Sequence, residues 1–167
     1  SETVLLEDWY QERSLGAFAF GAHSTDLVFY AGVLRGQPGF EIDGDTRAFT
    51  FNGTNQYAEA DGAMADLGTI TVEVRIRPVT GRAQTVFDFG SSAADRFMLN
   101  LTAAGIPELV LARRGEVVRL SGTAPLPAGQ WSACRVEIDG TTARLWVDGA
   151  LAAETASTFR AAQALPP

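Results

Sequence analysis

The sequence predicts an all-β protein made of two antiparallel sheets packed face to face. Apolar and polar residues alternate with a period of two in several short segments, which is the period of a half-buried strand. Clusters of glycine, proline, serine and aspartate separate these segments at intervals of about ten residues, the spacing of a β-sandwich. No segment shows the periodicity of a helix of ordinary length. Strands without helices bury their apolar sides by stacking two sheets.

The composition fits one domain preceded by a short arm. The chain has 167 residues, of which 46% are hydrophobic, and this suffices for a substantial core without disulfides or metal ions. We predict one domain over residues 15–167 and an N-terminal arm over residues 1–14. The apolar anchors of the arm are Leu5, Leu6, Trp9 and Tyr10.

The charge of the chain argues against two classes of partner. The formal net charge is -7 at pH 7, whereas a nucleic-acid backbone or an anionic membrane surface attracts a basic footprint. We therefore expect no nucleic acid and no membrane as the main partner. The first residues are acidic where a secretory signal would be basic and then apolar, so no signal peptide is expected in this chain.

The first third of the chain contains short β-type segments separated by glycine. Phe18 and Phe20 share one side of the first segment, and an apolar run from Leu27 to Leu34 is interrupted by Gly32. Residues 35–45 carry three glycines and one proline, which predicts a loop or a short hairpin.

The middle of the chain predicts a core strand. Four β-branched residues alternate with polar ones from Ile70 to Ile76, and each would contribute about 1.5–2 kcal/mol if fully buried. Pro78 ends the strand. Further short strands are predicted at residues 85–89, 97–101, 108–112 and 117–120.

The clearest local signal is a hairpin near the C-terminus. Asp148 and Gly149 lie between two apolar segments, and an Asp-Gly pair adopts the positive φ angles of a type I′ turn. The alternation before this turn places Cys134 on the buried side of its strand, as a small core residue and not a reactive thiol. Trp131 is also expected in the core.

Five motifs, in their order along the chain, resemble segments of one family. They are FTFNGTNQY at residues 49–57, GTITVEVRIRP at 68–78, GQW at 129–131, DG at 139–140 and ARLWVDG at 143–149. Over about residues 48–155 the chain is similar to laminin G-like domains of the concanavalin A-like jelly-roll superfamily. The resemblance implies an all-β, two-sheet antiparallel jelly-roll sandwich.

The resemblance also implies recognition, because the family's known roles are mostly carbohydrate, protein or surface binding by non-catalytic modules. The first hypothesis is therefore a non-catalytic binding or adhesion module whose partner is a glycan or a protein surface. The alternative is a structural decoration or fibre-associated component of a virion or another multi-subunit surface assembly. The closing strand usual in such domains is missing here, which would leave an unpaired sheet edge and favours self-association. Both hypotheses imply an extracellular or surface-exposed location.

Glycoside hydrolysis is the third hypothesis and the least favoured. The superfamily includes glycosidases whose carboxylates lie together on one concave face. The nearest sequences here are residues 41–45 (Glu-Ile-Asp-Gly-Asp) and 137–139 (Glu-Ile-Asp), which lie beside glycine turns and lack the third acid at the required place. His23 and Cys134 are the single histidine and cysteine and cannot make a tetrahedral zinc site. No catalytic residue is assigned.

Calcium is the one cofactor that the resemblance keeps open, because laminin G-like domains often bind it at the edge of the sandwich with oxygen ligands. The candidate ligands are Asp26 in an early loop and Asn52, Asn55 and Gln56 in the FNGTNQY turn. Where family members commonly have two acids, this chain has Asn55 and Gln56. Capping of the turn by these amides is the alternative.

One polar strand face is a candidate for ligand binding. Trp146 lies on the outward side of its strand, and Arg144, Arg135 and Arg75 are expected to share that face. An exposed aromatic ring beside polar groups is suited to glycan recognition. The alternative is that Trp146 fills a seam or a contact between subunits.

Overall fold

A computed structural model describes residues 5–6, 16–20, 26–40, 47–60, 69–79 and 82–159. Within these ranges the secondary structure is all β, and no helix is found. The chain divides into two compact units, residues 1–64 and residues 65–167. In the described ranges no helix has the length and hydropathy to cross a membrane. The predicted all-β class is confirmed.

In the described part of the first unit there are one four-stranded antiparallel sheet, in the order β1-β2-β3-β6, and a hairpin of β4 and β5. Its strands are β1 (Leu5–Leu6), β2 (Gly16–Phe20), β3 (Asp26–Tyr30), β4 (Leu34–Pro38), β5 (Arg47–Thr50) and β6 (Tyr57–Ala60). Strand β1 lies in the predicted arm and pairs with Ala19 and Phe20 of the same chain. The other arm residues, Trp9 and Tyr10 among them, lie outside the described ranges.

The apolar run of the first unit folds as two strands. Ala31 and Gly32 have φ angles of 59° and 72°, which turn the chain between β3 and β4. A positive φ is uncommon for a residue other than glycine, and the Gln56 side chain stabilises this turn by hydrogen bonds to both of its carbonyl groups.

The second unit contains two four-stranded antiparallel sheets, in the orders β11-β10-β9-β8 and β14-β13-β12-β7. Their strands are β7 (Ile70–Ile76), β8 (Gln84–Ser92), β9 (Asp95–Leu101), β10 (Pro107–Arg113), β11 (Glu116–Ser121), β12 (Ser132–Ile138), β13 (Thr142–Val147) and β14 (Ala150–Ala156). Strand β7 has the bounds that its alternation predicts.

The core of the second unit lies between its two sheets. Phe97 and Leu99 of one sheet and Val136 and Leu145 of the other have no exposed surface, and all belong to one cluster of buried side chains. The apolar sides of the two sheets therefore face each other, and the predicted sandwich is confirmed. Burying one such side chain contributes about 1.5–3 kcal/mol.

Two core predictions have different outcomes, and one core residue was not predicted. Cys134 is fully buried, as predicted. The prediction for Trp131 is wrong: this residue is half-buried outside the core cluster, and the guanidinium of Arg77 lies 5.2 Å from its ring centroid. Phe159, which the alternation does not identify, is 5% exposed and packs edge-on against Phe97 at 6.2 Å between ring centroids.

The predicted type I′ hairpin is confirmed. Asp148 and Gly149 have φ angles of 48° and 81° and join β13 to β14, and two positive φ angles define this turn. Asp148 Oδ1 accepts the amide hydrogen of Ala133 at 2.7 Å, and the Asp148 amide donates to the Ala133 carbonyl at 2.8 Å. The turn is thereby fixed to the neighbouring strand β12.

Candidate functional site

All four predicted ligand-binding residues lie on the outer face of the sheet β14-β13-β12-β7. Arg135 pairs with Trp146 across β12 and β13, and Arg75 of β7 pairs with Ala133 of β12. Arg144 lies two residues before Trp146, on the same side of β13. The structure thus brings these residues together as their alternation predicts, and we call this surface the arginine-tryptophan face.

The Trp146 ring makes contacts with neighbouring side chains of the same sheet. The guanidinium carbon of Arg135 lies 4.6 Å from the centroid of the Trp146 ring, a distance at which a cation is attracted to the ring. The indole nitrogen donates to Glu137 Oε2 at 3.1 Å. One side of the ring is therefore covered, and its polar edge already has a partner.

The arginines of this face have carboxylate partners on the same sheet. Arg144 binds Glu154 Oε2 at 2.5 Å and Asp139 Oδ2 at 3.1 Å, and these contacts raise the pKa of its guanidinium. Arg75 lies 3.3 Å from Glu73. Arg135 Nε is 3.2 Å from Glu137 Oε1, but its N–H does not point at that oxygen and makes no hydrogen bond. Positive charge on this face is largely balanced.

The opposite sheet of the second unit has a groove on its outer face, of about 420 Å³. Strand β9 alternates here: Phe97, Leu99 and Leu101 are buried in the core, and the intervening residues line the groove. Neighbouring strands complete it. Its polar and apolar walls include Thr85, Asp88, Arg96, Met98, Asn100 and Glu108.

Arg96 lies across this groove because its neighbour on β8 has no side chain. Gly90 pairs with Arg96, and a Cβ at Gly90 would lie 2.4 Å from the Cβ of Arg96. The Arg96 guanidinium then reaches Asp88, with Nη2 at 3.2 Å from Oδ2. On the other wall, Glu108 Oε1 binds Arg119 Nη1 at 2.6 Å.

Two polar atoms of the groove are buried without a hydrogen-bond partner: Arg96 Nε, a donor, and Asn100 Oδ1, an acceptor. A buried polar group left in this state costs about 1–3 kcal/mol, so such groups call for an explanation. A hydroxyl group can both donate and accept a hydrogen bond. Hydroxyl-bearing ligands therefore match this pair of atoms.

Sequence reasoning missed this groove. The alternation of Arg96, Met98 and Asn100 on one side of β9 was visible. What it could not show is which residues of β8 and β10 lie beside them. Thr85 and Asp88 are three residues apart, a spacing that puts side chains on opposite faces of a regular strand. A register shift after Thr85 brings both to the groove side, opposite Asn100 and Met98.

The predicted calcium ligands form a closed turn in the structure. Asn52 Oδ1 accepts amide hydrogens from Thr54, Asn55 and Gln56 at 2.9, 3.2 and 3.3 Å. Asn55 Oδ1 accepts from Asn52 Nδ2, and Gln56 Oε1 accepts from the Asn52 amide. Asp26 lies at the start of β3.

Calcium takes 6–8 oxygen ligands. The amide oxygens of this turn are already acceptors, so they do not fit the ion in this conformation. Among the described residues no group of three acidic, histidine or cysteine side chains could hold a metal. Calcium binding stays a prediction, and it would require the turn to open.

The carboxylates of the two sequences that are nearest to a glycosidase motif have structural roles where they are described. The Glu137 carboxylate accepts a hydrogen bond from the indole N–H of Trp146. Asp139 Oδ1 accepts three hydrogen bonds from Thr141 and Thr142, which hold the pKa of its carboxyl well below its usual range. Residues 41–43 and His23 lie outside the described ranges.

Comparison with known proteins gives one family match. A laminin G-type model, described as the concanavalin A-like lectin/glucanases superfamily, matches residues 52–165. Comparison with curated proteins gives no match.

The solved structures that are similar to this chain include the following three. An S-layer domain-containing protein (residues 221–444) from Clostridium thermocellum is 21% identical with a TM-score of 0.54, over 97% of this chain and 75% of that one. Mouse laminin α1 chain domains LG4-5 are 18% identical with a TM-score of 0.50, over 59% of this chain. The match covers 26% of that laminin chain, about a quarter of its length. The carbohydrate-binding module CBM66 from Bacillus subtilis is 14% identical with a TM-score of 0.49, over 78% and 81%. At these identities the likeness concerns the fold.

Proposed function

Because the chain belongs to the laminin G-like family of the concanavalin A-like lectin/glucanases superfamily, we propose that it is a non-catalytic binding module. We further propose that its ligand is a neutral glycan bound in the groove of the second unit. Membership of the family determines the fold but not the ligand, which depends on the residues of the site. The groove is therefore the part of the molecule from which the ligand class is argued.

The observation that carries the proposal is the unpaired donor and acceptor in one groove, Arg96 Nε and Asn100 Oδ1. A few polar groups in a concave, partly apolar site are typical of ligand recognition. Sugar hydroxyls supply both kinds of partner, and the Met98 side chain adds an apolar surface for the carbon atoms of a sugar ring.

The charge balance of the groove favours a neutral ligand. Its two carboxylates, Asp88 and Glu108, are each paired with an arginine, Arg96 and Arg119 respectively. The positive charge of each guanidinium is thereby balanced by a carboxylate, which weakens its attraction for an anionic ligand. The same pairing supports a non-catalytic role, because both carboxylates already have an arginine partner.

The arginine-tryptophan face stays a second prediction for ligand binding. Its arginines are balanced by acids and its aromatic ring is partly covered, which makes the groove the better supported site. An extracellular or surface-exposed location is proposed with the binding role. A structural role in a virion or another assembly remains an alternative without a specific observation in its favour.

The experiment is native affinity electrophoresis of the full chain in gels containing soluble arabinan, xylan or mixed-linkage β-glucan. Asn100→Ala removes the unpaired acceptor, and Trp146→Ala tests the arginine-tryptophan face in the same gels. Thr158→Ala, on an exposed residue that follows β14 and does not line the groove, is the matched control.

We expect at least one polysaccharide to retard the wild-type chain, and Asn100→Ala to lose most of this retardation while Thr158→Ala keeps it. Loss in Trp146→Ala alone would move the site to the other sheet. No retardation by any of the three polymers would contradict the proposed ligand class. Release of reducing sugar by the wild type would contradict the non-catalytic assignment.

A further inference from the structure

One face of the sheet in the first unit is unusually apolar for an exposed surface. Tyr30 pairs with Tyr57 and Val28 pairs with Glu59 across β3 and β6, so these four side chains lie on one side. Their exposed fractions include 49% for Tyr57 and 44% for Val28. A strand face that meets solvent is usually polar. We call this surface the tyrosine face.

The other side of the same strands packs inward. Phe29 and Ala58 pair on that side and are half-buried, and the Phe29 ring lies 4.5 Å from the Phe49 ring. The apolar residues of the tyrosine face are therefore surplus to this contact. Large exposed apolar patches on soluble proteins commonly mark interaction sites.

The two tyrosine rings are arranged as a platform. Their centroids are 4.5 Å apart with an interplanar angle of 13°, so the rings stack. Tyr30 Oη donates to Glu59 Oε2 at 2.9 Å, and this bond raises the pKa of Tyr30. Among the described strands, β6 is at the edge of its sheet.

The charge of the chain is concentrated in the same unit. Residues 1–64 contain ten acidic and three basic side chains and carry the whole formal charge of -7, whereas residues 65–167 contain ten of each. A partner that docks on the first unit therefore meets a negative field. Such a field selects positively charged partners and accelerates their encounter.

From these observations we propose that the tyrosine face is a docking surface for a basic, arginine- or lysine-bearing protein segment. The face of a tyrosine ring attracts such cations, and the Glu59 carboxylate lies beside the rings to pair with them. Aromatic residues are also the ones enriched at protein interfaces. This proposal is independent of glycan binding, because it uses none of the groove residues.

The test uses a fluorescein-labelled peptide of nine arginines and the full chain, with binding followed by fluorescence anisotropy at 20 mM and 500 mM NaCl. The variants are Glu59→Gln, Tyr57→Ala and Tyr57→Phe. Glu73→Gln is the matched control, because it removes one exposed acid from the second unit and changes the net charge equally. Circular dichroism checks the fold of each variant.

We expect saturable binding at low salt that weakens at high salt. Glu59→Gln and Tyr57→Ala should each raise Kd about two- to five-fold, whereas Tyr57→Phe and Glu73→Gln should leave it within about 1.5-fold. Equal weakening by Glu59→Gln and Glu73→Gln would mean attraction to the overall charge and would overturn the docking surface. Absence of binding at 20 mM NaCl would also overturn it.

Discussion

Replacing Gly149 by valine should destabilise the protein through the backbone alone. A Cβ at Gly149 meets no atom within 4 Å, so no clash contributes to the cost. The cost comes from the φ angle of 81°, since a left-handed conformation disfavours an L-residue by about 1–2 kcal/mol. Removing a glycine also restricts the unfolded chain, which offsets about 0.4–1 kcal/mol. The net loss should be about 1 kcal/mol, which lowers Tm by about 2–4 °C in a chain of this size.

The assay is thermal unfolding by circular dichroism, together with urea unfolding followed by tryptophan fluorescence. Two variants isolate the backbone effect. Gly149→Asn should stay close to the wild type, because asparagine tolerates positive φ. Ala150→Val places the same β-branched side chain one residue later, at an exposed strand position, and should change stability by less than about 0.5 kcal/mol.

Two results would refute this reasoning. If Gly149→Val has the wild-type Tm, the type I′ turn does not constrain the hairpin. If Ala150→Val loses as much stability as Gly149→Val, the effect belongs to the branched side chain and not to the φ angle. An unchanged urea m-value is required for either comparison, because a changed m-value reports a different unfolded or native state.

Three further predictions concern Asp139, Cys134 and Gly90. Hydrogen bonds from Thr141 lower the pKa of the Asp139 carboxyl, so the ionised carboxylate stabilises the folded protein above the unfolded pKa of about 3.9, and this stabilisation is lost as the pH falls below that value. The Tm difference between the wild type and Asp139→Ala should therefore shrink from pH 6 to pH 2. A constant difference would contradict this prediction. Burial raises the pKa of the Cys134 thiol to about 11, so maleimide at pH 8 should label this thiol only after the protein unfolds. Rapid labelling of the folded chain would contradict this, because it would show that the thiol is accessible. Gly90→Ala should lower Tm more than Gly149→Ala, because its Cβ would lie 2.4 Å from the Cβ of Arg96; equal melting would show that β8 moves without cost.

Sequence alone predicted those features that depend on neighbours along the chain. The bounds of β7 follow from four alternating β-branched residues, and the turn at Asp148 and Gly149 follows from their tolerance of positive φ. The shared outward side of Arg144 and Trp146 follows from the two-residue period of a strand. These are properties of local backbone geometry, and the order of the motifs was enough to identify the family.

Tertiary structure decided what each outward side chain meets. Trp146 lies on the outward side of β13, as the alternation predicts, but its contacts with Arg135 and Glu137 depend on the register between β12 and β13. Phe159 lies after the last strand, where the two-residue period does not apply, and its contact with Phe97 depends on the path of the folded chain.

The groove shows the same division most clearly. The alternation along β9 determined that Arg96 and Asn100 point away from the core. Their meeting with Thr85 and Asp88 depends on a bulge in β8, where one extra residue changes which side chains share a face. Periodicity records the pleat of a single strand, whereas register and bulges are set by pairing between strands that are distant in sequence. The sequence itself therefore determined on which side of β9 the groove residues lie. The fold determined which residues of the neighbouring strands join them in one site.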